Sequence, residues 1–290
     1  MSETSNKKEE KITKNCLRCG GNLEFSPKHQ AIFCCQCGTI YDIEKNKNIT
    51  KHNLQDVKDI KLEDKLFADN NNVFNCPNCG SKLVLNKLEY TKKCPYCGSV
   101  QIKKTRINPG VSPDSIIPFK FDEEVAAEKF KQAMKKKVFA PNAFKKKPIS
   151  DNIYGIFIPT FAYDADSQTS YSGTEKIEHV HIDSNNIRRV SYSYRNFSGK
   201  FNMNHRNVLV EDSPSLNQLD LESIKPYNYN EMYKYNDDFI RGYTVEYHEH
   251  PIATCTDIAH TIMKNDINSS IKRKEGGNIV SLRTNTNFEC

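Results

Sequence analysis

Residues 16–38 read CLRCGGNLEFSPKHQAIFCCQCG, and residues 76–98 read CPNCGSKLVLNKLEYTKKCPYCG. Both segments follow the pattern C-x2-C-x14-C-x2-C, and a glycine comes directly after each cysteine pair. Each cysteine of the first segment recurs 60 residues later, so the chain contains an internal repeat. The eight repeated cysteines are Cys16, Cys19, Cys34, Cys37, Cys76, Cys79, Cys94 and Cys97.

Four cysteines at this spacing are typical of a zinc site. A gap of two residues lets one tight turn present two sulfur atoms to one ion, and the glycine permits the left-handed backbone that closes the turn. A segment of under about 40 residues buries too little apolar surface to fold alone, so metal binding must supply most of its folding free energy, on the order of 10 kcal/mol. We therefore predict two structural Zn²⁺ ions, each held by the four thiolates of one repeat.

The identity of the metal and the role of the remaining cysteines are less tightly fixed by the sequence. Iron uses the same ligand spacing, so the sequence favours zinc without excluding iron. A thioredoxin-like redox pair needs one C-x-x-C beside a βαβ pattern, whereas this chain has four pairs and no such pattern. Cys35 stands where the second repeat has Pro95, and we predict a free thiol there. Cys255 is predicted to be a small core residue, and Cys290 is terminal and has no assigned role.

Short apolar runs around the cysteine pairs predict strands. They are Leu23–Phe25, Ala31–Phe33, Thr39–Ile43, Leu83–Leu85 and Val100–Ile102. Each repeat is thus predicted to form a three-stranded zinc ribbon, over residues 15–44 and 75–105. Residues 1–14 are predicted to be a disordered tail and residues 45–74 a charged linker, marginally helical at most before the asparagine run at 70–72.

The predicted fold class is α+β, with two N-terminal zinc ribbons followed by a domain over residues 111–290 that has an antiparallel sheet and helices. The predicted helices are 123–137, capped by Asp122, then 216–224 and 256–272. The apolar run 153–161 predicts a buried strand. A hairpin is expected from strand 177–182, a turn at 184–186 and a long strand from Val190, and a change of apolar parity beyond Asn196 suggests a bulge.

Composition limits the classes of partner and compartment. The formal net charge of +6 falls to roughly +2 when two metal–thiolate sites of about −2 each are counted. Lysine makes up 33 of the 42 basic residues, whereas arginine is the residue that phosphate recognition favours. No apolar run approaches the roughly 20 residues of a membrane span, and residues 1–14 do not resemble a secretory signal. We expect a cytoplasmic protein that does not bind membranes.

One basic segment could nevertheless contact nucleic acid. Six lysines bracket Phe139 and Phe144, and basic side chains interleaved with aromatic rings can follow a phosphate backbone. These lysines are Lys135, Lys136, Lys137, Lys145, Lys146 and Lys147. A solvated helix end is the commoner explanation of the same lysines, because cations are favoured at a helix C-terminus.

Catalytic patterns are weak in this sequence. Gly199-Lys200 is followed by Phe201 instead of the Ser or Thr of a phosphate loop. Asp164 and Asp166 follow an apolar strand as in some phosphotransferases, but their expected partners are missing, which favours a solvated strand end.

Two histidine pairs superficially resemble metal sites. His248 and His250, like His179 and His181, are two residues apart, whereas a helical metalloprotease site needs a spacing of four. Polar surface is the simpler interpretation of both pairs. We therefore expect a protein that is not an enzyme.

Several motifs outside the cysteine repeats carry a family resemblance. They are Ile116-Ile117-Pro118-Phe119, Val138-Phe139-Ala140-Pro141, Tyr154-Gly155-Ile156-Phe157-Ile158-Pro159, Tyr163-Asp164-Ala165-Asp166, Ile224-Lys225-Pro226-Tyr227 and Thr284-Asn285-Thr286-Asn287. With the cysteine repeats, they make the chain similar to the bacterial TFIIB-type zinc-ribbon-containing proteins over nearly its whole length. Relatives are sometimes labelled primosomal helicase-like, but the missing phosphate loop argues against helicase activity here.

The resemblance has two departures and implies no established activity. This chain has an additional ribbon at its start, and it ends at Cys290 where relatives continue with further strands, so we expect it to be truncated. The function expected from sequence is that of a non-enzymatic zinc-binding scaffold with an unknown protein partner. The alternative is a nucleic-acid-binding factor in replication or transcription that uses the ribbon surfaces and the lysine segment.

Overall fold

A computed structural model describes residues 15–54, 71–86, 93–100, 102–105, 112–137, 153–212, 219, 223, 227–247 and 250–289. These residues form a mixed α+β structure dominated by strands, with two long helices, α1 (Glu123–Lys136) and α2 (Ile252–Glu275). The predicted tail, most of the linker and nearly all of the predicted helix 216–224 lie outside the described residues. Contacts divide the chain into two compact units, one over 1–51, 61–159 and 213–248, the other over 52–60, 160–212 and 249–290. The domain limits expected from sequence stay predictions.

The first cysteine repeat (residues 16–38) and the residues that follow it form a three-stranded antiparallel sheet. Its strands are β1 (Leu23–Ser26), β2 (Ala31–Cys34) and β3 (Ile40–Tyr41), in that order. Phe25 lies opposite Ile32, and both are buried, so alternate positions of this small sheet face the core. The three strands predicted around the first repeat are confirmed.

The second cysteine repeat (residues 76–98) belongs to a larger sheet. Five strands line up in the order β6 (Lys103–Lys104), β4 (Asn71–Asn75), β5 (Lys82–Asn86), β12 (Thr244–Glu246) and β8 (Ile156–Phe157). β12 pairs antiparallel with β5 and parallel with β8, so strands from three distant parts of the chain share this sheet.

Two local expectations around the second repeat are wrong. The asparagine run was expected to end a linker, but β4 begins at Asn71 because Val73 lies opposite Val84 and both are buried. Instead of the predicted strand Val100–Ile102, the strand here is β6 (Lys103–Lys104), in which Lys104 pairs with Phe74. Pairing with a neighbouring strand outweighs local composition in both places.

The core of the first unit joins the first repeat to the segment 233–245. A 3₁₀ helix, Asp237–Ile240, places the fully buried Phe239 against Phe25, with ring centroids 5.6 Å apart. The Tyr233 ring also stacks on Phe239, with centroids 5.7 Å apart. Tyr233 belongs to β11 (Tyr233–Lys234), which pairs antiparallel with β7 (Ser115–Ile116).

Helix α1 confirms the prediction at 123–137. The Asp122 carboxylate accepts a hydrogen bond from the Val125 N–H at 2.8 Å, as expected of an N-cap. Ala126, Phe130 and Met134 on one face are half-buried, but Ala133, expected on that face, is exposed. The helix has no fully buried residue, so its attachment is shallow.

The predicted buried strand 153–161 is wrong in extent and burial. Only Ile156 and Phe157 form a strand of their own there, and no residue from Ile153 to Phe161 is buried. This apolar run includes Pro159, which lacks the backbone N–H needed to continue a ladder. The run is a half-buried connection between β8 and the strand that begins at Thr160.

The second unit is a three-stranded antiparallel sheet with one helix against it. The strand order is β10 (Arg188–Glu211), β9 (Thr160–Ile182) and β13 (Asn278–Glu289). Helix α2 confirms the helix predicted at 256–272 and buries a stripe at every fourth residue. The stripe consists of Cys255, Ala259, Met263, Ile267 and Ile271. These side chains cover one face of the sheet with Tyr171, Val210 and their neighbours.

The prediction of a bulge at the change of apolar parity just beyond Asn196 is wrong. The register of β9 and β10 runs unbroken from Arg188 opposite Ile182 to His205 opposite Ala165, and the irregularity lies between His205 and Val208. The apolar parity changes because the two faces differ: Phe197 points toward α2, whereas the apolar residues before Asn196 lie on the opposite, exposed face.

Two glycines of this sheet lie beneath aromatic rings on the paired strand. Gly173 is opposite Phe197, and Gly199 is opposite Tyr171. A Cβ atom on Gly173 would lie 2.4 Å from Phe197 Cζ, and one on Gly199 would lie 2.5 Å from the Tyr171 hydroxyl oxygen. Both positions therefore need a residue without a side chain, because each ring occupies that space.

Candidate metal centres

The two turns of the first repeat have the same backbone pattern. The Cys16 N–H donates to the Gly21 carbonyl at 2.8 Å, and the Gly20 N–H donates to the Cys16 carbonyl at 2.7 Å. In the second turn the Gly38 N–H donates to the Cys34 carbonyl at 2.9 Å. Gly20 and Gly38 both have a φ of +74°, a left-handed conformation that favours glycine. Each turn thus aims two sulfur atoms at one point.

The sulfur atoms of Cys16, Cys19, Cys34 and Cys37 form a compact group, the first cluster. All of them lie within 4.8 Å of one another, with Cys16 Sγ 3.5 Å from Cys37 Sγ and Cys19 Sγ 3.5 Å from Cys34 Sγ. A tetrahedral ion with sulfur at about 2.3 Å requires sulfur–sulfur distances of about 3.8 Å. The geometry therefore fits one four-coordinate metal ion.

The second repeat reproduces these turns and the cluster they form. Gly80 and Gly98 have φ angles of +79° and +72°, and each N–H donates to the carbonyl of the cysteine four residues earlier. Its four sulfur atoms, the second cluster, also lie within 4.8 Å of one another. The closest pairs, Cys76 with Cys97 and Cys79 with Cys94, are 3.6 and 3.7 Å apart. The 60-residue repeat is therefore also a repeat of geometry.

Hydroxyl groups form a second layer around both clusters. In the first, Cys16 Sγ is 3.2 Å from the Tyr41 hydroxyl, and Cys37 Sγ is 3.0 Å from Thr39 Oγ1. In the second, Ser81 Oγ lies 3.2 Å from Cys79 Sγ and 3.3 Å from Cys94 Sγ. Such donors orient thiolates and stabilise their negative charge.

The cysteine pattern alone did not identify these second-layer residues. A signal for them existed in the spacing, since Thr39 and Ser81 each stand two residues after a ligand cysteine and Tyr41 stands four after one. Residues just beyond a cysteine turn lie near its sulfur atoms, so a hydroxyl at these positions is well placed to contact them.

Charge repulsion within each cluster calls for a cation. The Tyr41 hydroxyl lowers the pKa of Cys16 to about 6. In the same cluster the Gly21 N–H acts to lower the pKa of Cys19, but the Cys37 sulfur and desolvation outweigh it and raise that pKa to about 12. One thiol ionises readily, and its neighbour then resists ionisation because two negative charges at this distance repel each other. A divalent ion at the centre removes that repulsion.

The second cluster shows the same opposition. The Asn78 side chain lowers the pKa of Cys97 to about 6. The Ser81 hydroxyl acts to lower the pKa of Cys79, but desolvation and the neighbouring thiols raise it to about 11. Both clusters could therefore hold a metal ion, and sulfur would fill all four positions of a tetrahedron.

Cys35 lies outside the first cluster, as expected for a free thiol. Desolvation and the Glu24 carboxylate raise its pKa to about 11, so the thiol stays protonated at neutral pH. Cys255 is fully buried against the sheet of the second unit, which confirms its expected role as a core residue.

The lysine segment is only partly described. Lys135, Lys136 and Lys137 are exposed at the end of α1, where cations also complement the helix dipole. Lys145, Lys146 and Lys147 lie outside the described residues, as do the neighbouring Phe139 and Phe144. Whether the six lysines form one surface stays a prediction.

Asp164 and Asp166 have structural partners within β9 and β10. Asp164 Oδ1 accepts the Asn207 N–H at 2.8 Å, and Asn207 has a φ of +52° at the bulge. Asp166 forms an ion pair with Arg206 at 2.7 Å and accepts from the Asn204 amide at 2.8 Å, and the two contacts lower the pKa of Asp166. The aspartates lie inside a strand, not at its end, and they hold the bulge in place.

The histidines do not converge on a metal-binding arrangement among the described residues. His179 bonds to Ser193 at 2.7 Å on the exposed hairpin. The His250 backbone N–H donates to the buried Asp212 carboxylate at 2.7 Å. The Nδ1 atom of the His250 ring lies 3.1 Å from the same carboxylate oxygen. His248 lies outside the described residues.

A buried serine–histidine pair was not identified from the sequence. Ser167 Oγ is 3.1 Å from His205 Nε2, but the serine donates its proton to the Met203 carbonyl at 3.0 Å. The histidine must therefore donate to the serine, and burial lowers the pKa of His205. With both residues at 3% exposure or less, this pair joins β9 to β10 and has no access for a substrate.

Comparisons with known proteins give one distant relative. No family model matches the chain. It is 22% identical over 235 residues to the uncharacterized protein YdjG of Bacillus subtilis (strain 168), a match that covers 81% of this chain and 65% of that protein. No solved structure matches. Among the described residues, no helix combines the length and apolar character needed to span a membrane.

Proposed function

We propose that this chain is a cytoplasmic zinc-binding protein that acts without catalysis, as a scaffold for a partner. The observation that carries the proposal is the pair of tetra-cysteine clusters, whose sulfur distances suit a tetrahedral ion. Four thiolates saturate such an ion, so the metal is structural. The resemblance to the TFIIB-type zinc-ribbon-containing proteins agrees with this proposal, as does the backbone of the four glycine turns.

Metal analysis tests the proposal directly. We expect two zinc ions per chain by inductively coupled plasma mass spectrometry, and one in each of the variants Cys16→Ser and Cys76→Ser. Iron would be recognised by its charge-transfer absorption in the visible range. The matched control is Cys35→Ser, because Cys35 lies beside the first cluster but outside it, and two ions should remain. A metal-free protein with both repeats folded would contradict the proposal.

Nucleic-acid binding is the second candidate function. The observation that favours it is the run of three exposed lysines, Lys135 to Lys137, at the end of α1. The test is fluorescence anisotropy with a labelled single-stranded oligonucleotide across a salt series. If phosphate contacts hold the oligonucleotide, its affinity falls steeply with salt. The logarithm of the binding constant then falls with the logarithm of salt concentration, with a slope of about −0.7 per phosphate contact.

A matched charge deletion locates this binding. Replacing Lys135, Lys136 and Lys137 by alanine should reduce the salt slope by about 2 if these lysines contact phosphates. Replacing three exposed cations of α2 removes the same charge elsewhere and should leave the slope unchanged. The control residues are Lys264, Lys272 and Arg273. Absent binding, or equal effects of the two variants, excludes this candidate.

A further inference from the structure

The outer edge of β10 is long and carries an exposed apolar row. β10 has 24 residues and lies at the edge of its sheet, and no described strand pairs with its outer side. Val190, Tyr192 and Tyr194 occupy alternate positions along its first part, and these residues are 42%, 50% and 66% exposed. An open edge of this kind is a template for pairing with another strand.

The same face of the paired strand extends this surface. Val180 lies opposite Val190, and Val180 and Ile182 are 50% and 60% exposed. Helix α2 covers the other face of the sheet at Tyr171 and Phe197, and beyond them the hairpin is exposed on both faces. The five residues form the hairpin patch: Val180, Ile182, Val190, Tyr192 and Tyr194. Monomeric proteins rarely leave clustered apolar side chains of this size in water without a partner.

The opposite edge of the sheet differs in chemistry. The positions of β13 that share the open face are polar or charged, such as Arg283, Asn285 and Asn287, and all three are exposed. Charged and polar side chains protect an edge against pairing. On the open face β10 itself carries no charged side chain from 190 to 194, although Lys176 of β9 lies over the Tyr192 ring, 3.6 Å from its centroid.

The spacing of the apolar row is symmetric about its central residue. In an antiparallel pair of two copies with Tyr192 opposite Tyr192, Val190 of each copy lies opposite Tyr194 of the other. Aromatic–aromatic and aromatic–β-branched pairs are favourable cross-strand contacts. A two-fold axis through Tyr192 perpendicular to the sheet also keeps the apolar face of both copies on one side, as an isologous interface requires.

Charge favours a protein edge over a nucleic acid at this site. The three arginines of the hairpin are each bound to a carboxylate, Arg188 to Glu178, Arg189 to Asp183 and Arg195 to Glu175, at 3.4, 3.2 and 2.7 Å. Their charges are thus largely neutralised within one copy. In the pairing about Tyr192, Arg189 of each copy lies opposite Arg195 of the other, and the carboxylates of Asp183 and Glu175 offset the repulsion between them, whereas a phosphate backbone would find few free cations.

We propose that a second copy of this chain pairs antiparallel with β10 over residues 188–196, about a two-fold axis at Tyr192. The pairing joins two three-stranded sheets into one of six strands. Nine residues of each copy take part, fewer than the roughly 20 residues per partner of a standard interface, so we expect a reversible dimer. The inference is independent of the proposed function, because it involves none of the cysteine clusters.

Sedimentation velocity over a concentration series tests this dimer in the zinc-loaded chain of 290 residues. We expect the mass to rise from 33.3 kDa toward twice that value. Tyr192→Lys places two ammonium groups opposite each other and should raise the dissociation constant about tenfold or more. Gln168→Lys is the matched control, since Gln168 is exposed on the same face of the central strand, opposite Asn202 and Asn287.

Disulfide trapping tests the register separately, in a Cys35→Ser, Cys290→Ser background with a mild glutathione buffer and zinc present. Tyr192→Cys should cross-link to itself, whereas Val190→Cys alone should not, and Val190→Cys with Tyr194→Cys should cross-link again. Val280→Cys on β13 is the exposed control. A monomer at all concentrations, a dimer insensitive to Tyr192→Lys, or equal trapping at Val280 and Tyr192 would each overturn the proposal, and the last two would indicate another partner surface.

Discussion

The two cysteine clusters are nearly identical in sequence spacing and sulfur geometry, but they lie in different surroundings. In the first, Cys16 and Cys34 belong to a core with Phe25, Ile32 and Phe239. The sheet of the second repeat has a smaller core cluster, with Val73 and Val84 as its buried members, and it also buries Phe74, Leu83 and Leu85. Cys37 of the first cluster is half-buried, whereas the corresponding Cys97 is exposed. The same ligand set can therefore serve a well-packed site and a more open one.

The largest expected difference concerns stability. Cys34→Ser and Cys94→Ser are matched variants, since both residues are buried ligands at equivalent positions. Loss of one structural metal costs several kcal/mol in either case, and we expect the larger fall in melting temperature for Cys34→Ser, because the first cluster is part of the main core of its unit. Scanning calorimetry with zinc analysis measures this. Equal or reversed shifts would mean that packing around the clusters does not decide stability.

A second prediction concerns the rate of metal loss. Cys79 and Cys97 are both exposed in the second cluster, whereas only Cys19 is exposed in the first. A chelator reaches exposed thiolates more readily, so zinc release to 4-(2-pyridylazo)resorcinol should be biphasic, with the second cluster in the fast phase. The variants Cys16→Ser and Cys76→Ser assign the phases, since each leaves one site. A fast phase that survives Cys76→Ser would refute the assignment.

A third prediction separates the second-layer groups by pH. Tyr41→Phe removes the hydroxyl that lowers the pKa of Cys16 to about 6. Above the ordinary thiol pKa of about 8.5 the thiolate forms with or without the hydroxyl, whereas between that value and a pKa of about 6 zinc must displace a proton from Cys16 only when the hydroxyl is absent. The variant should bind zinc about tenfold more weakly near pH 6.5, with little deficit above about pH 9. Competition with a fluorescent zinc indicator measures this, and a deficit that does not change with pH would contradict it.

The smallest expected effect is at the second cluster. Ser81→Ala removes one hydroxyl that contacts both Cys79 and Cys94. Backbone N–H groups still support these thiolates, so we expect a loss of about threefold in zinc affinity. Ser26→Ala is the control, because the Ser26 hydroxyl contacts His29 and no ligand cysteine. If Ser81→Ala lost more zinc affinity than Tyr41→Phe, the hydroxyl at the second cluster would matter more than the one at the first, which would contradict this prediction.

Local patterns in the sequence predicted the parts of the structure that depend on local chemistry. The eight cysteines, the Asp122 cap and the turn near Asn186 each follow from residues within a few positions. Pairing over long distances could not be predicted in this way. β12 joins the second repeat through Val245 opposite Val84, and short apolar runs give no indication of such a partner. The position of the bulge was wrong for the same reason, because the change of apolar parity reflects which face of the sheet α2 covers.

The glycine–ring pairs of the second unit act as an error check on strand alignment. The open face of β9 and β10 is polar over much of its length, and polar strands specify their alignment weakly. A slip of two residues keeps every side chain on its own face, so burial alone detects it poorly. In one direction such a slip would set the Phe197 ring against the Tyr171 ring, and in the other it would leave Gly173 facing Gly199 with an empty space. One misaligned state would thus have a steric clash and the other a cavity. Both would be less stable than the native register.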